Sequence, residues 1–215
     1  VQNAIGGLPS SEFEKVHSPD PLVEMRRIYK EGVRTVIMRG VTTLDATLEE
    51  CAAHELSKMT RARAEEIAMH SATMVWENAH HGVYRFLHSL GLPGFSTREW
   101  ILEHVWRYSE ESRNVLETYY EHVPDHPTYH DADAAYAKDN STEVMFRYER
   151  LPNIGGVPQT RLTYTQRVDP GGAVPLWAVN AKATDRLMVV SRARQAVDRS
   201  LEVDAARRKA IVQMI

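Results

Sequence analysis

The stretch Gln159-Thr160-Arg161-Leu162-Thr163-Tyr164-Thr165-Gln166-Arg167-Val168-Asp169-Pro170-Gly171-Gly172-Ala173-Val174-Pro175 decides the fold. Thr160, Leu162, Tyr164, Gln166 and Val168 alternate with more polar neighbours, the two-residue period of a strand. Asp-Pro-Gly-Gly then stops the strand, because proline removes a ladder donor and glycine accepts positive φ. Pro175 suits the first helical position, where its missing N–H costs nothing. The segment therefore predicts a strand handed directly to a helix running from Val174 to about Ser200. Trp177, Ala181, Leu187, Val190 and Val197 lie along that helix, and a last short helix is expected over 203–215.

Working outward, residues 1–19 contain Gly6-Gly7, Pro9 and Ser10-Ser11 and read as a linker. Asp20-Pro21 offers an N-cap and first-turn proline for a helix over 21–31, which Gly32 would end. Val33 to Thr43 reads as a strand. Thr47-x-x-Glu50 is a capping box opening a helix with Leu48, Cys51, Ala52, Leu56 and Met59 on one face. Strands are then expected near 73–80, 83–90, 99–108, 113–122, 133–138, 142–150 and 159–168. Helix, strand, helix, many antiparallel strands and a long helix make an α+β chain. The expected architecture is one curved antiparallel sheet wrapped around a long C-terminal helix, a helix-grip fold. A curved sheet gripping a helix leaves a space, and a closed apolar space is a ligand cavity by default.

Composition narrows the function. A chain of 215 residues is naturally one domain with a sizeable core. Its net charge of −3 argues against a nucleic-acid partner, which would select a basic surface. The lone Cys51 rules out an internal disulfide and suits a reducing, cytoplasmic compartment. Val1 in place of methionine is the start expected of a fragment, so the lack of a targeting signal carries no weight.

The strand over 99–108 offers the clearest candidate lining. Trp100, Leu102, His104, Trp106 and Tyr108 fall on one face; Glu99, Ile101, Glu103, Val105 and Arg107 fall on the other. The aromatic face is either plain core against the terminal helix or the wall of a cavity. The two differ only in whether space remains. Trp76, Tyr84, Phe86, Tyr119, Met145, Leu162, Tyr164, Trp177 and Leu187 extend the candidate set. Tyrosines suit such a site because the ring packs apolar groups while the hydroxyl meets a polar one. Arg147, with Met145 and Glu149 at alternate positions, is a candidate inward charge beside a carboxylate.

Among ten histidines, His122, His126 and His130 are spaced by four, as metal ligands on a helix would be. Pro124 and Pro127 forbid that helix, and neither a metal nor a cofactor is assigned. No Gly-x-Ser-x-Gly, P-loop, His-Glu-x-x-His or Gly-x-Gly-x-x-Gly is present, and no catalytic residue is assigned. Cys51, on the apolar face of its helix, reads as inert core. Arg192, Arg194, Arg199, Arg207, Arg208 and Lys209 make the C-terminal portion basic. They form either a solvated helix face or a contact with an anionic membrane surface.

The Asp-Pro-Gly-Gly-Ala-Val-Pro junction resembles the end of the StAR-related lipid-transfer (START) domain. There a last long strand passes through an Asp-x-Gly-Gly-like turn and an x-Pro into the C-terminal helix. Leu92-Pro93-Gly94-Phe95-Ser96-Thr97-Arg98-Glu99-Trp100 is similar to the family's proline loop and the Arg-acid-aromatic start of the next strand. Glu121-His122 through Pro127 is similar to its His-x-x-x-Pro loop. The tail from Ser191 to Arg208 looks most like START modules of large protist multidomain proteins. The Trp-Asp of many members is replaced here by Arg61-Ala62-Arg63-Ala64-Glu65.

The resemblance implies a START/Bet v 1-like fold with a lipid-binding domain over 20–200 and a helical extension over 201–215. It implies non-catalytic binding of one hydrophobic lipid, such as a sterol or fatty acid, used for transfer or sensing. A transiently touched membrane surface and other domains of a larger chain are the further partners it implies. It also makes Arg98 a structural residue that positions the loop. Two alternatives stand beside this reading. One is a helix-grip enzyme of the cyclase or hydrolase type, with His104 or Glu103 as acid or base. The other is a cavity-less interaction module of a larger signalling protein.

Overall fold

The computed structural model describes residues 5–57, 60, 71–88, 95, 97–123, 126–129, 137–138, 141–169 and 174–215. Among them a single sheet runs β1 (Glu14–Val16), β2 (Glu24–Ile28), β3 (Ile37–Leu44), β10 (Val157–Asp169), β9 (Ser141–Ile154), β7 (Val115–His122), β6 (Arg98–Tyr108), β5 (His81–His88) and β4 (Ser71–Asn78), in that spatial order. Short β8 (Ala137–Lys138) adds a parallel pairing to β6; the other pairings are antiparallel. The helices are α1 (Leu48–Leu56), α2 (Leu176–Ala181), α3 (Ala183–Ala196) and α4 (Ser200–Met214). This is the α+β helix-grip arrangement expected from the sequence.

Period-two alternation gives the sheet two unlike faces. Met38, Leu102, Leu116, Tyr120, Phe146, Tyr148, Leu162 and Tyr164 turn to one side, here the inner face. Leu48, Cys51 and Ala52 of α1 and Leu187 and Val190 of α3 close over it to make one core. α3 lies tight on β3 at Gly40, where an added Cβ would stand 3.0 Å from Val190 Cγ2. The capping box forms as expected: Thr47 N–H donates to Glu50 Oε2 (2.9 Å) and Glu50 N–H to Thr47 Oγ1 (3.2 Å). β9 and β10 are joined by Gly155-Gly156 at φ +58° and +86°, a turn that glycine enters without steric cost.

Several expectations are corrected. The helix expected over 21–31 is instead β2. Its two buried apolar residues point to opposite faces: Met25 pairs with Gly40 on the inner side and Ile28 with Ile37 on the outer. Asp20 caps no helix there. Its Oδ1 accepts from Leu22 N–H (2.9 Å), and its Oδ2 accepts from Ser191 Oγ and from Arg194 Nη2 (3.2 Å) on α3. Within the segment read as a linker, Ser10–Glu12 form a 3-10 turn and Glu14–Val16 form β1, and two side chains are buried. Ile5 (2% exposed) and Phe13 (5%) form an outer-face cluster with Ile28 and Ile37.

The single long helix expected after Pro175 is broken at Lys182 into α2 and α3, and Pro175 itself is the N-cap. The proline-loop residues 89–94 and 96, the Arg61–Glu65 tract, and Pro170–Ala173 of the decisive turn lie outside the described residues, as do Pro124, Asp125 and His130.

Candidate functional site

Strand register decides which candidates share a face. Gly82 pairs with His104, Tyr84 with Leu102 and Phe86 with Trp100; His104 pairs in turn with Tyr120, and Thr118 with Phe146. These residues, with Tyr164 opposite Phe146, make one continuous inner surface. Trp76 meets His104 edge-on (ring centroids 4.8 Å), His104 stacks on Tyr120 (5.5 Å), Tyr120 meets Phe146 (6.1 Å), and Phe146 meets Tyr164 (4.6 Å). The row thus crosses from β4 to β10. Tyr84, Phe86 and Trp100 form a second stack beside it, at 4.9 and 5.3 Å. Such separations are those of favourable aromatic pairs.

Gly82 makes the first contact possible. β5 lies between β4 and β6, and a side chain at position 82 would separate Trp76 from His104. His104 is 0% exposed inside this clamp.

Of the sequence candidates, Tyr84, Trp100, Leu102, His104, Leu162, Tyr164 and Leu187 are buried on the inner side, and Phe86 and Trp106 are half-buried there. Trp106 also donates from Nε1 to Ala79 O (2.8 Å). Trp76 has its ring on this face yet remains 47% exposed. Three candidates belong to the opposite face. Tyr119, Met145 and Arg147 alternate with the inward Thr118, Tyr120, Val144, Phe146 and Tyr148. Arg147 Nη1 donates to Glu117 Oε1 (2.6 Å) and Nη2 lies 3.5 Å from Glu149 Oε1, so its carboxylate partners are outside the grip. Tyr119 Oη donates to Glu117 Oε2 (2.5 Å); burial first, then that neighbouring carboxylate, pushes its hydroxyl up to about 12. Trp177 is 74% exposed.

Among the described residues, His104, Thr118, Gln166, Glu55 and the Tyr164 hydroxyl bring polar groups to the interior. Tyr164 Oη donates to Gln166 Oε1 (2.9 Å), and Gln166 Nε2 reaches Ala183 O (3.4 Å) at the start of α3. Burial, and then the Glu55 carboxylate, hold the Tyr164 hydroxyl well above its ordinary range, against the charges of Arg186 and Arg192. Thr118 is fully buried, and its hydroxyl finds no hydrogen-bond partner among the described residues. Cys51, buried on α1, has its thiol pushed up to about 12 by that burial, which disfavours the thiolate form.

Sequence reading missed Glu55, Thr118, Tyr120, Phe146 and Tyr148. The signal existed for the last four: Glu117, Tyr119 and Glu121 share one parity, and Arg147 and Glu149 another, leaving the apolar alternates to face inward.

A small, partly open space of about 10 Å³ lies between β3, β10 and the helices α2 and α3, lined by Thr35, Val36, Met38, Gln166, Val179 and Arg186 among others. That is roughly the room one water needs. An open groove of about 560 Å³ runs between the segment 15–25 and the end of β3, over Asp20, Leu22, Thr42 and Arg161.

No family model matches the sequence, and no curated protein matches it. Solved structures do match its shape. A STAR-related lipid transfer protein fragment from Xanthomonas axonopodis is 13% identical, with 86% of this chain and 98% of that one covered at a TM-score of 0.71. The human StarD13 lipid transfer and protein localization domain is 14% identical over 87% and 89% of the two chains, TM-score 0.65. Human StAR-related lipid transfer protein 5 is 14% identical over 94% and 89%, TM-score 0.64. At such identities the likeness is one of fold: the chain has the START helix-grip fold.

Proposed function

We propose that this START-fold chain binds one hydrophobic lipid between the inner face of its sheet and helices α1 and α3, without catalysing a reaction. The observation that carries the reading is the aromatic row from Trp76 to Tyr164 on the face those helices cover. A lipid tail or ring laid there would gain about 25 cal/mol for each Å² of apolar area removed from water. The named solved structures are lipid-transfer proteins, which supports transfer or sensing as the use of such binding.

The proposed contacts are Tyr84, Phe86, Trp100, Leu102, His104, Trp106, Leu162, Tyr164 and Leu187, joined by Tyr120, Phe146 and the Thr118 hydroxyl. Arg147 is on the outer face, paired with Glu117, so among the described residues it offers no inward positive charge, and an unpaired buried charge is very costly. A ligand with one small polar end, such as a sterol or fatty acid, therefore fits better than an enclosed phospholipid headgroup. Transient contact with a membrane surface, a cytoplasmic setting and other domains in a larger chain belong to the same reading. Among the described residues no helix is long and apolar enough to cross a membrane.

Native mass spectrometry of the purified chain should reveal a co-purifying lipid mass, and transfer assays should move fluorescent sterol or fatty acid. Transfer of phosphatidylcholine alone would sink the ligand assignment. The cavity-less module is a second reading; a bare protein mass and no transfer of any lipid would support it. The enzyme alternative fares worse on geometry. Glu103 lies on the outer face beside His81 Nε2 (2.6 Å), which leaves the inward His104 as the one of the two candidates placed in the grip. Turnover of activated esters would reverse that judgement.

A further inference from the structure

Arg26 and Arg39 stand directly opposite each other on β2 and β3, on the outer face of the sheet. Like charges in that relation repel. Arg39 is only 5% exposed, its guanidinium 4.0 Å from the centre of the Phe13 ring. It donates from Nε to Thr165 Oγ1 (3.0 Å), from Nη2 to Leu8 O (3.1 Å) and from Nη1 to Ser10 Oγ (3.1 Å). These three acceptors are neutral. Arg26 Nη1 donates to the Ser10 carbonyl (3.1 Å) while its Nε meets Glu24. Two repelling arginines thus converge on one exposed serine of the N-terminal segment.

We infer that Ser10 is a modification site whose phosphate would be seated by Arg39 and Arg26. A phosphoserine carries close to two negative charges near neutral pH and accepts charge-assisted hydrogen bonds, the complement of two converging guanidinium groups. The Ser10 oxygen would attack the γ-phosphorus of ATP held by a protein kinase. The Oγ–P bond forms, the bond to the β,γ-bridging oxygen breaks and leaves with ADP, and the hydroxyl proton passes to the kinase's base. The surrounding charges do not cancel the seat. Glu24 engages Arg26 at Nε rather than at the amino group facing Ser10, Glu12 is held by Lys30, and Glu14 by Arg27. The phosphate would pin the segment 5–13 against β3, directly behind the Gly40 at which α3 rests.

The test uses the full chain with phosphoserine encoded at position 10 and, separately, at position 11. The second ionisation of an unperturbed phosphoserine lies near ~6. In ³¹P NMR titrations it should fall to lower pH at position 10 in the folded chain than in the same chain in urea, and Tm should rise above that of the unmodified protein. Position 11 should show neither effect. Arg26→Gln should shrink the shift at position 10. The same titration in folded and unfolded chains, a lowered Tm, or a shift indifferent to Arg26→Gln would each overturn the assignment.

Discussion

Gly82 lies directly beneath the ring of His104: a Cβ built at position 82 would stand 2.6 Å from His104 Cε1 and 2.9 Å from the Val75 carbonyl oxygen. The first neighbour is a side chain wedged between Trp76 and Tyr120, and the second is backbone, so neither yields cheaply. Gly82→Ala should cost roughly 1–3 kcal/mol, as overpacking does. It should also weaken lipid binding by tilting His104. Urea unfolding and a lipid-transfer assay check both; wild-type stability with wild-type transfer would mean that the clamp is not rigid.

Trp100 and Trp177 should behave as opposites. Trp100 is buried and stacked on Phe86, so Trp100→Ala should cost about 3–5 kcal/mol if the ring is packed core. A smaller loss with abolished lipid binding would show that it walls an open cavity. Trp177→Ala should change stability by no more than about 0.5 kcal/mol, because the side chain is largely in water. Denaturation midpoints of the two variants decide it.

The contrast between these tryptophans shows how far the sequence could be read. Both are large and apolar, and both fit their local periodicity. Trp100 was legible because five alternating residues of β6 share one aromatic face. Trp177 was not: α2 buries its neighbours Ala178 and Val179 and leaves Trp177 exposed, and Lys182 separates α2 from the helix that carries Leu187 and Val190. Tyr119, Met145 and Arg147 were placed on the wrong face for a different reason. The chemistry of each side chain suits an inner wall, but each shares the parity of Glu117, Glu121 or Glu149 and so turns outward, because one residue of phase reverses a strand.

Asp20 should link α3 to the N-terminal segment in a pH-dependent way. Burial alone would raise its carboxyl above the ordinary 3.8, but hydrogen bonds from Ser191, Leu22 N–H and Arg194 hold it below that value. A carboxyl depressed in the folded state contributes stability that is fully present above the unfolded pKa and is lost as pH falls through the folded one. Asp20→Asn should therefore destabilise the chain at neutral pH, and the gap to wild type should close below about pH 4, near the unfolded carboxyl value. Urea midpoints measured across that range provide the check; a gap independent of pH would remove the charge from the explanation.

Removing residues after Asp169 should abolish cooperative folding. Leu187 and Val190 are fully buried against the sheet, and without them Met38, Gly40 and Tyr164 would face water. A truncated chain that stays monomeric and unfolds cooperatively would show that α1 alone covers the sheet.

The sequence by itself determined the element types over most of β3 to β10, the capping box of α1, the helix-grip class and the inward face of β6. These depend on local period, capping and turn chemistry, which neighbours along the chain are enough to specify. Only the tertiary structure decided that 24–28 is a strand and that Ile5 and Phe13 pack on Ile28 and Ile37. A segment with two apolar residues three apart fits a helix or a strand equally. What selects the strand is the unpaired edge of β3, brought alongside by a partner more distant in the chain than any local signal reaches.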